Sequence, residues 1–151
     1  MSVGIGYDSH RFAEGRALIL GGVEIEHERG LAGHSDADVL THAAIDALLG
    51  AAGRGDIGTL FPDADERWRD ADSIDMLRTV VGTIGGRIEN IDATLVCQGP
   101  RLAPYREEME RNLAEATSAR VSVKATTNEG MGWIGRGEGI ACIAVASVDG
   151  D

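Results

Sequence analysis

The stretch GIACIAVASV, residues 139–148, is apolar on both of the faces that a β-strand presents. Successive side chains of a strand point to opposite sides of a sheet, so both sides of this one need cover. Helices of the same chain can cover one side. The other side then requires a partner subunit, and we therefore expect the protein to be a homo-oligomer.

Strand and helix patterns alternate around this stretch without a regular βαβ rhythm. Residues 2–12 alternate as a strand does, and 17–27 predict a hairpin around Gly21 and Gly22. Two further strands are predicted over 87–97 and 120–127. Helices are predicted from Ser35 or Asp36 to Leu49, from a cap at Asp72 or Ser73 to an exit at Gly85 and Gly86, and over 103–118. The predicted fold class is α+β, a single domain over residues 1–151 with one mostly mixed β-sheet covered on one face by helices.

The charge of the chain restricts its partners. Its 14 basic and 25 acidic residues give a formal net charge of −11. Nucleic acids and anionic membranes are recognised by basic patches, so we expect neither as a partner. If the substrate is itself anionic, metal ions or backbone N–H groups have to hold it.

The two cysteines indicate a reducing compartment. Cys97 and Cys142 are too few and too far apart to form a disulfide framework, so we expect a cytoplasmic protein. The first residues lack a basic segment followed by a long apolar run, and no later segment resembles a membrane span.

A first candidate site combines Asp8, His10 and His42. Asp8 and His10 lie two residues apart in a predicted strand, so both leave one face, although a solvated strand face has the same pattern. His42 lies on an apolar helix face, where a satisfied core histidine is the more common role. Together, two histidines and one aspartate with an open fourth position describe a catalytic zinc site. Asp46, one turn after His42, is then predicted to fix the tautomer of an imidazole.

Two acidic or polar segments follow. His34 and Ser35 are predicted at a helix N-terminus, as a simple cap or as a place where N–H groups and the hydroxyl hold an oxyanion. The loop after this helix contains four acidic residues that can grip polyol hydroxyls or simply be solvated: Asp56, Asp63, Asp65 and Glu66.

The segment KATTNEGMGWIGRGEG, residues 124–139, is rich in glycine and lacks the Gly-Lys-Ser/Thr of a Walker loop. Hydroxyl, amide and carboxylate groups from Thr126 to Glu129 lie at the end of a predicted strand. Such oxygen ligands suit a phosphate with a hard cation such as Mg²⁺, and a glycine-rich hairpin loop is the alternative.

Several segments in this order resemble the 2-C-methyl-D-erythritol 2,4-cyclodiphosphate synthase family of the non-mevalonate isoprenoid pathway. The resemblance covers essentially the whole chain, through GYDSHRF, LILGGV, HSDADVLTHAAIDALLGAAGRGDIGTLFPD, QGPRLAPY and VKATTNEGMGWIGRGEGIA. It implies a lyase that converts 4-diphosphocytidyl-2-C-methyl-D-erythritol 2-phosphate to the cyclic 2,4-diphosphate and releases CMP. It also implies a homotrimer with sites between subunits, in which the sheet faces that lack helices pack around the threefold axis.

The resemblance assigns roles to individual residues. Asp8, His10 and His42 match the ligands of one Zn²⁺ per subunit, and Glu129 matches the ligand of Mg²⁺ or Mn²⁺. His34, Thr127 and Glu129 match the catalytic positions. The positions implied in substrate binding, for the diphosphate, the methylerythritol and the cytidine, are Ser35, Asp56, Gly58, Asp63, Cys97, Pro100, Arg101, Leu102, Ala103, Ala125, Thr126 and Thr127.

The chain departs from the family pattern at three places. Trp133 stands where phenylalanine is usual, and with Arg136 it matches the mouth of a central cavity that binds isoprenoid diphosphates in some members. The segment after Asp63 reads ADERWRDAD rather than beginning Thr-Asp-Pro, and Arg101 stands where lysine is common.

Two other functions fit part of these observations. A zinc phosphohydrolase uses metal-bound water and gives a linear product. A trimer that only binds isoprenoid diphosphates is the non-enzymatic alternative, but such a protein has no use for both metal sites.

Overall fold

The central strand of the main sheet is the C-terminal one, as its two apolar faces require. In this computed structural model, which describes residues 1–150, five strands form a mixed sheet in the order β4-β1-β7-β5-β6. β5 and β6 are parallel, and the other neighbouring pairs are antiparallel. β2 and β3 form a separate two-stranded hairpin. The strands are β1 (Ser2–Ala13), β2 (Leu18–Leu20), β3 (Val23–Ile25), β4 (Gly30–Leu31), β5 (Arg87–Val96), β6 (Arg120–Thr126) and β7 (Gly139–Asp149).

The helices cover one face of this sheet, as the predicted α+β fold requires. They are α1 (Val39–Ala52), α2 (Ile57–Leu60), α3 (Ser73–Val81), α4 (Arg106–Thr117) and α5 (Gly132–Gly135). The hydrophobic core lies between helices and sheet, with Leu40 and Leu48 of α1 packed near Leu77, Leu95 and other fully buried side chains. The predicted hairpin around Gly21 and Gly22 is confirmed, and the other strand predictions hold within about two residues.

Helix α1 packs directly on the backbone of β1. A Cβ atom on Gly4 would lie 2.0 Å from the Ala47 carbonyl oxygen, and one on Gly6 would lie 2.0 Å from that of Ala43. Both glycines are buried. Because alternate residues of a strand share a face, Asp8 and His10 continue the side of β1 that faces α1.

The predicted start of α1 at Ser35 or Asp36 is wrong. Ala37 adopts a left-handed φ of 58°, which is incompatible with a continuous helix, and α1 begins at Val39. Asp38 is the cap, since its carboxylate accepts a hydrogen bond from the Thr41 N–H at 3.0 Å. Ser35 therefore lies outside the first turn of this helix, and its hydroxyl does not form an oxyanion site together with the first N–H groups of α1.

Asp38 also fastens the hairpin turn to α1. Its two oxygens accept hydrogen bonds from the N–H groups of Gly21 and Gly22 at 2.8 and 2.9 Å, and from the Thr41 hydroxyl at 2.8 Å. The side chain is fully buried, and burial raises the pKa of its carboxyl group. One carboxylate thus joins two parts of the chain that are distant in sequence.

Other helix boundaries differ in detail from the prediction. Asp72 caps α3 as predicted, but the helix ends at Val81 rather than at the Gly85–Gly86 exit. The predicted acidic loop after the first helix contains the short helix α2, and α5 was not expected within the glycine-rich segment. One-turn elements bury too few apolar side chains to give a periodic pattern.

The face of the sheet opposite α1 carries exposed apolar side chains. Ile5 and Tyr7 of β1 are 71% and 56% exposed, and Ile143 of the neighbouring β7 is 42% exposed. Val3 and Val145 extend this surface along the same two strands. Among residues 1–150, no helix is both long enough and apolar enough to cross a membrane.

Candidate active site

Asp8, His10 and His42 meet where β1 and α1 touch. Oδ2 of Asp8 lies 2.9 Å from Nε2 of His10 and 3.2 Å from Nδ1 of His42, and these two nitrogens are 3.4 Å apart. One ligand atom from each residue lies within 4.8 Å of the others. The strand alternation and the helix face predicted from the sequence therefore do bring the three side chains together.

The outer nitrogen of each imidazole fixes the role of the inner one. Nδ1 of His10 lies 2.7 Å from the Ala32 carbonyl oxygen, which can only accept, so this nitrogen carries the proton. Nε2 of His42 lies 2.8 Å from the Ser73 hydroxyl. In the neutral rings, the inner nitrogens then present lone pairs towards the Asp8 carboxylate. Three acceptors directed at one point are suited to a cation, and two imidazoles with one carboxylate are a ligand set that zinc uses.

Electrostatics supports the ionised state of Asp8. Burial on its own raises the pKa of this carboxyl group, but the neighbouring imidazoles of His10 and His42 outweigh it and lower the pKa to about 2. Burial opposes the charged form of His10, and the carboxylate of Asp8 raises its pKa nevertheless. The carboxylate of Asp8 is thus negatively charged at neutral pH.

Asp46 takes a different position from the one predicted. Its Oδ1 accepts a hydrogen bond from the backbone N–H of Ile57 at 2.7 Å, which anchors the start of α2 to α1. The outer nitrogen of His42 is instead contacted by the hydroxyls of Ser73, at 2.8 Å, and Ser35, at 3.1 Å. The i, i+4 spacing places Asp46 on the same side of α1 as His42 without bringing the two into contact.

A cavity of about 390 Å³ opens over the three acceptors. Four other residues that the sequence assigned to substrate or catalysis line it: His34, Ser35, Gly58 and Asp63. Apolar side chains complete the wall, among them Phe61 and Trp68, whose rings pack edge to face at 4.7 Å. Asp56 stands beside this wall as the cap of α2, accepting from the Thr59 N–H and hydroxyl, each at 2.9 Å.

The segment that carries His34 is held through its own carbonyl groups. The guanidinium of Arg16 donates to the carbonyl oxygens of Gly33, at 2.7 Å, and Ser35. The N–H of Asp70 donates to the carbonyl oxygen of His34 at 2.8 Å. Nε2 of His34 lies 3.2 Å from the Asp65 carbonyl oxygen. The segment is thus bound on both sides, to the turn after β1 and to the loop before α3.

A second cavity, of about 300 Å³, brings together residues that the resemblance assigned to the cytosine pocket and to the wall beside the nucleotide diphosphate. They are Cys97, Pro100, Arg101, Leu102, Ala103, Ala125, Thr126 and Thr127, together with Gln98. Burial raises the pKa of the Cys97 thiol to about 11, so this sulfur is a neutral wall of the cavity.

The sheet register relates this second cavity to the three acceptors. Asp8 pairs with Cys142, Cys142 with Leu95, and Leu95 with Ala125. Three strand spacings separate the backbones of Asp8 and Ala125, which is about 14 Å. Within one chain, the two cavities therefore lie at the same level of the sheet but on different strands.

Glu129 lies just beyond the second cavity. Its φ is 55°, and its N–H donates to the Thr127 hydroxyl at 3.2 Å. The side-chain oxygen of Gln98 accepts from the N–H groups of Asn128 and Gly130, at 3.3 and 3.1 Å. Gln98 thus joins the loop after β5 to the turn that carries Glu129.

Trp133 and Arg136 line a third cavity, of about 690 Å³, which also touches His10 and Arg29. Arg136 is paired with Glu138 at 2.7 Å. This placement separates both residues from the second cavity and puts them beside the exposed end of β1.

Sequence reasoning missed four residues that organise these cavities. Arg16, Asp36 and Ser73 support the first cavity, and Gln98 supports the second. All four act through backbone groups or through another side chain, so no spacing pattern indicates them. Asp36 and Gln98 lie inside quoted motifs, but neither was assigned a role in the site.

Comparison with known proteins gives one consistent family. The model of the YgbB family matches residues 1–149. A 2-C-methyl-D-erythritol 2,4-cyclodiphosphate synthase of Salinibacter ruber is 54% identical over 154 residues, covering 98% of each chain. The synthase of Moorella thermoacetica is 57% identical over 151 residues, covering 96% of this chain and 93% of the relative.

Solved structures agree with these sequence relatives. A 2C-methyl-D-erythritol-2,4-cyclodiphosphate synthase in its CDP-bound form superposes with a TM-score of 0.87 at 37% identity, covering 97% of this chain and 99% of that one. The bifunctional IspDF from Campylobacter jejuni gives a TM-score of 0.92 at 42% identity, with 96% of this chain matching 41% of that one. The chain therefore belongs to the YgbB family, together with the 2-C-methyl-D-erythritol 2,4-cyclodiphosphate synthases.

Proposed function

We propose that this protein converts 4-diphosphocytidyl-2-C-methyl-D-erythritol 2-phosphate to 2-C-methyl-D-erythritol 2,4-cyclodiphosphate and CMP. An oxygen of the 2-phosphate attacks the β-phosphorus, and the bond from that phosphorus to the oxygen bridging it to the α-phosphorus breaks. The electron pair of this bond leaves with CMP. The observation that carries the proposal is the convergence of Asp8, His10 and His42 on one point inside a cavity that His34, Ser35 and Asp63 also line.

The attacking group belongs to the substrate, so the protein supplies no nucleophile. The barrier comes from bringing one anion onto another and from folding a flexible chain into line. Asp8, His10 and His42 would hold one Zn²⁺ per subunit and Glu129 would hold Mg²⁺ or Mn²⁺, and such ions act as Lewis acids on phosphoryl oxygens. An acidic protein can bind a polyanion in this way because its carboxylates first bind cations.

The remaining residues orient the substrate. His34 and Ser35 offer donors at the first cavity, where Gly58 and Asp63, with Asp56 beside them, contact the methylerythritol. The second cavity takes the cytidine between the loop of 97–103 and residues 125–127, and Thr127 holds the diphosphate near Glu129. Orientation of reacting groups is worth about 7–11 kcal/mol in favourable cases, which makes positioning the main contribution of the side chains.

We infer that three copies assemble, with each site completed between two subunits. Two features support this arrangement. The apolar face around Ile5, Tyr7 and Ile143 is exposed in the single chain. The backbones of Asp8 and Ala125 lie about 14 Å apart on one sheet, so a neighbouring copy can bring its cavity for the cytidine close to the metal ligands. Trp133 and Arg136 then line the mouth of the central space between the three copies.

The domain is proposed to span residues 1–151 and to work in the cytoplasm, where Cys97 and Cys142 stay reduced. Both thiols are buried, and burial raises the pKa of each. A reducing compartment is compatible with two unpaired cysteines inside one core.

Incubation with the substrate tests the proposed reaction. We expect CMP and a cyclic diphosphate to form in equal amounts, and ³¹P NMR measures both. Open-chain methylerythritol with separate phosphates on the 2- and 4-oxygens, formed together with CMP, would instead identify a zinc phosphohydrolase and contradict the cyclase.

A matched pair of histidine variants tests whether Asp8, His10 and His42 form the metal site. His42→Ala removes one of the three acceptors, so we expect the variant to lose its bound zinc. The rate of CMP release should then fall by about 10³-fold or more, because the catalytic metal is missing. His27→Gln, at a half-buried histidine outside the three cavities, should retain both. Unchanged turnover in His42→Ala would remove this residue from the site.

A further inference from the structure

Ser73 is a fully buried serine at the first position of α3, where its hydroxyl is not needed as a cap. Asp72 already caps this helix by accepting from the Ile74 N–H at 2.8 Å. The Ser73 hydroxyl is directed instead to Nε2 of His42, at 2.8 Å. A serine hydroxyl can donate or accept, so its neighbour on the other side decides which it does towards the imidazole.

That neighbour is the carboxylate of Asp36. Oδ1 of Asp36 accepts from the Ser73 hydroxyl, and Oδ2 accepts from the Ser73 N–H at 3.1 Å. Oδ1 also accepts from the Asp38 N–H at 3.2 Å, and the Asp36 N–H donates to the Ala71 carbonyl oxygen at 3.1 Å. Three donors surround this carboxylate, and an ionised carboxylate can only accept. The hydroxyl proton of Ser73 is therefore committed to Asp36.

With its proton committed, Ser73 presents only lone pairs to His42. Nε2 of His42 must then carry the ring proton, and Nδ1 is left as a lone pair facing Asp8 and His10. The opposite tautomer would place an N–H in the cluster of acceptors and a repulsive contact against Ser73. The direction of one hydroxyl proton thus sets which nitrogen of His42 is available to a cation.

We propose that Asp36, acting through Ser73, is the positioning group that holds His42 in its ligand tautomer. The proposal rests on the proposed function in one respect, that Asp8, His10 and His42 bind a cation. It gives to Asp36 the role that the sequence suggested for Asp46. It also makes cation binding depend on the seating of α3, because Ser73 belongs to that helix.

Ser35 provides a second, weaker contact to the same nitrogen. Its hydroxyl oxygen lies 3.1 Å from Nε2 of His42 and accepts from the Ala37 N–H at 3.2 Å. It has no carboxylate behind it, so it cannot dictate the tautomer as Ser73 does. Its hydroxyl proton stays available to a ligand in the first cavity, which Ser35 lines.

Cation affinity, measured without substrate, tests this positioning role. Purified metal-free protein is titrated with Co²⁺, whose visible absorption reports the ligand set, in competition with a chelator. We expect Asp36→Asn and Ser73→Ala each to weaken Co²⁺ binding by about 10–100-fold, the usual effect of losing a hydrogen-bond partner of a metal-ligating histidine. The double variant should be no weaker than the weaker single one, because both residues act through one chain of hydrogen bonds.

Asp72→Asn is the matched control, since it alters the other carboxylate at the start of α3 and should bind Co²⁺ like the parent. Urea unfolding of each metal-free variant measures its free energy of unfolding, which falls if α3 no longer packs in place. Affinity within twofold of the parent in both Asp36→Asn and Ser73→Ala overturns the proposal. Weakened affinity in Asp72→Asn to the same extent also overturns it, because helix seating alone would then explain the loss.

The unmutated protein gives an independent measurement. NMR of imidazole nitrogens in ¹⁵N-histidine-labelled, zinc-loaded protein should show His42 with its proton on Nε2 and His10 with its proton on Nδ1. A His42 proton on Nδ1 overturns the proposal even if every variant folds poorly. Neither measurement uses substrate, so an inactive parent that binds Co²⁺ normally would contradict the proposed function and leave the role of Asp36 standing.

Discussion

The guanidinium of Arg16 lies outside the cavity and still determines the shape of its rim. It binds the carbonyl oxygens on both sides of His34, at Gly33 and Ser35. Arginine suits this task because its planar group offers several donors in a fixed geometry. Substrate contacts by His34 and Ser35 therefore depend on a residue that touches no substrate in the proposed function.

Replacement of Arg16 tests this dependence. Arg16→Met keeps the apolar stem and removes the donors, so the segment of His34 loses its hold on one side. We expect kcat/KM for CMP release to fall about tenfold, which corresponds to about 1.4 kcal/mol. Arg16→Lys, which keeps the charge but not the planar fork, should fall in between. A normal kcat/KM in Arg16→Met would show that the contact with Asp70 suffices.

Residue patterns predicted the candidate site unevenly. Asp8 and His10 follow from strand alternation, because a two-residue spacing fixes a shared face. The residues that the resemblance assigned to the nucleotide lie within two short segments, and these segments meet in one cavity. Asp36 and Ser73 could not be predicted, because their contact joins residues 37 positions apart and depends on how α3 is seated.

At the scale of elements, the backbones of α1 and β1 pack so closely that no side chain fits between them at the point of contact. Gly4 and Gly6 leave room for the helix backbone, and this brings His42 of α1 within reach of Asp8 and His10 of β1. A larger residue at either glycine would push the helix outward and separate the ligands.

Two glycine-to-alanine changes at this contact should have opposite effects. In Gly6→Ala, the new Cβ would lie 2.0 Å from the Ala43 carbonyl oxygen, so we expect a loss of about 3 kcal/mol or more in the free energy of unfolding. In Gly50→Ala, the nearest atom is the Gly4 Cα at 3.7 Å, and removing a helical glycine should add about 0.5–1 kcal/mol.

Urea unfolding at one protein concentration measures both changes, since concentration affects the apparent stability of an oligomer. Co²⁺ affinity should fall in Gly6→Ala and stay unchanged in Gly50→Ala. Equal stability of the two variants would mean that α1 can move away from β1 without cost.

The ends of the elements were predicted well where the periodic pattern is long. The prediction failed where a single backbone angle decides where a helix begins. The strands and α4 follow their patterns within a few residues. The start of α1 was misplaced because Ala37 takes a left-handed φ that alanine rarely adopts. Nothing in the local sequence indicates that angle, which is compatible with the contacts of Asp36 and Asp38 on either side.

At the scale of the whole molecule, the exposed apolar face of β1 and β7 is the feature that one chain leaves without cover. It lies on the side of the sheet away from α1 and includes Ile5, Tyr7 and Ile143. The sequence predicted both the α+β layer and the need for a partner, because an apolar strand with helices on one side only has an open face. The number of copies cannot be read from such a pattern.

A charge placed in this face tests the proposed trimer. We expect the parent to sediment as three chains of 15.9 kDa each. Ile5→Lys should sediment as a single chain and lose CMP release, because a buried unpaired ammonium group costs several kcal/mol. Thr79→Lys, on the exposed side of α3, is the control and should assemble normally. Sedimentation of the parent as a single chain would contradict the trimer.

β1 carries the metal ligands on one face and the apolar residues on the other, in strict alternation over ten residues paired with β7. Insertion or deletion of one residue early in this strand would exchange the two faces for every residue between the change and the end of the pairing. Assembly and chemistry would fail together, and no second mutation at a single position could restore one without the other. This strand should therefore tolerate substitutions at many positions but no change in length, and any natural variation of length is expected in the turns at its ends.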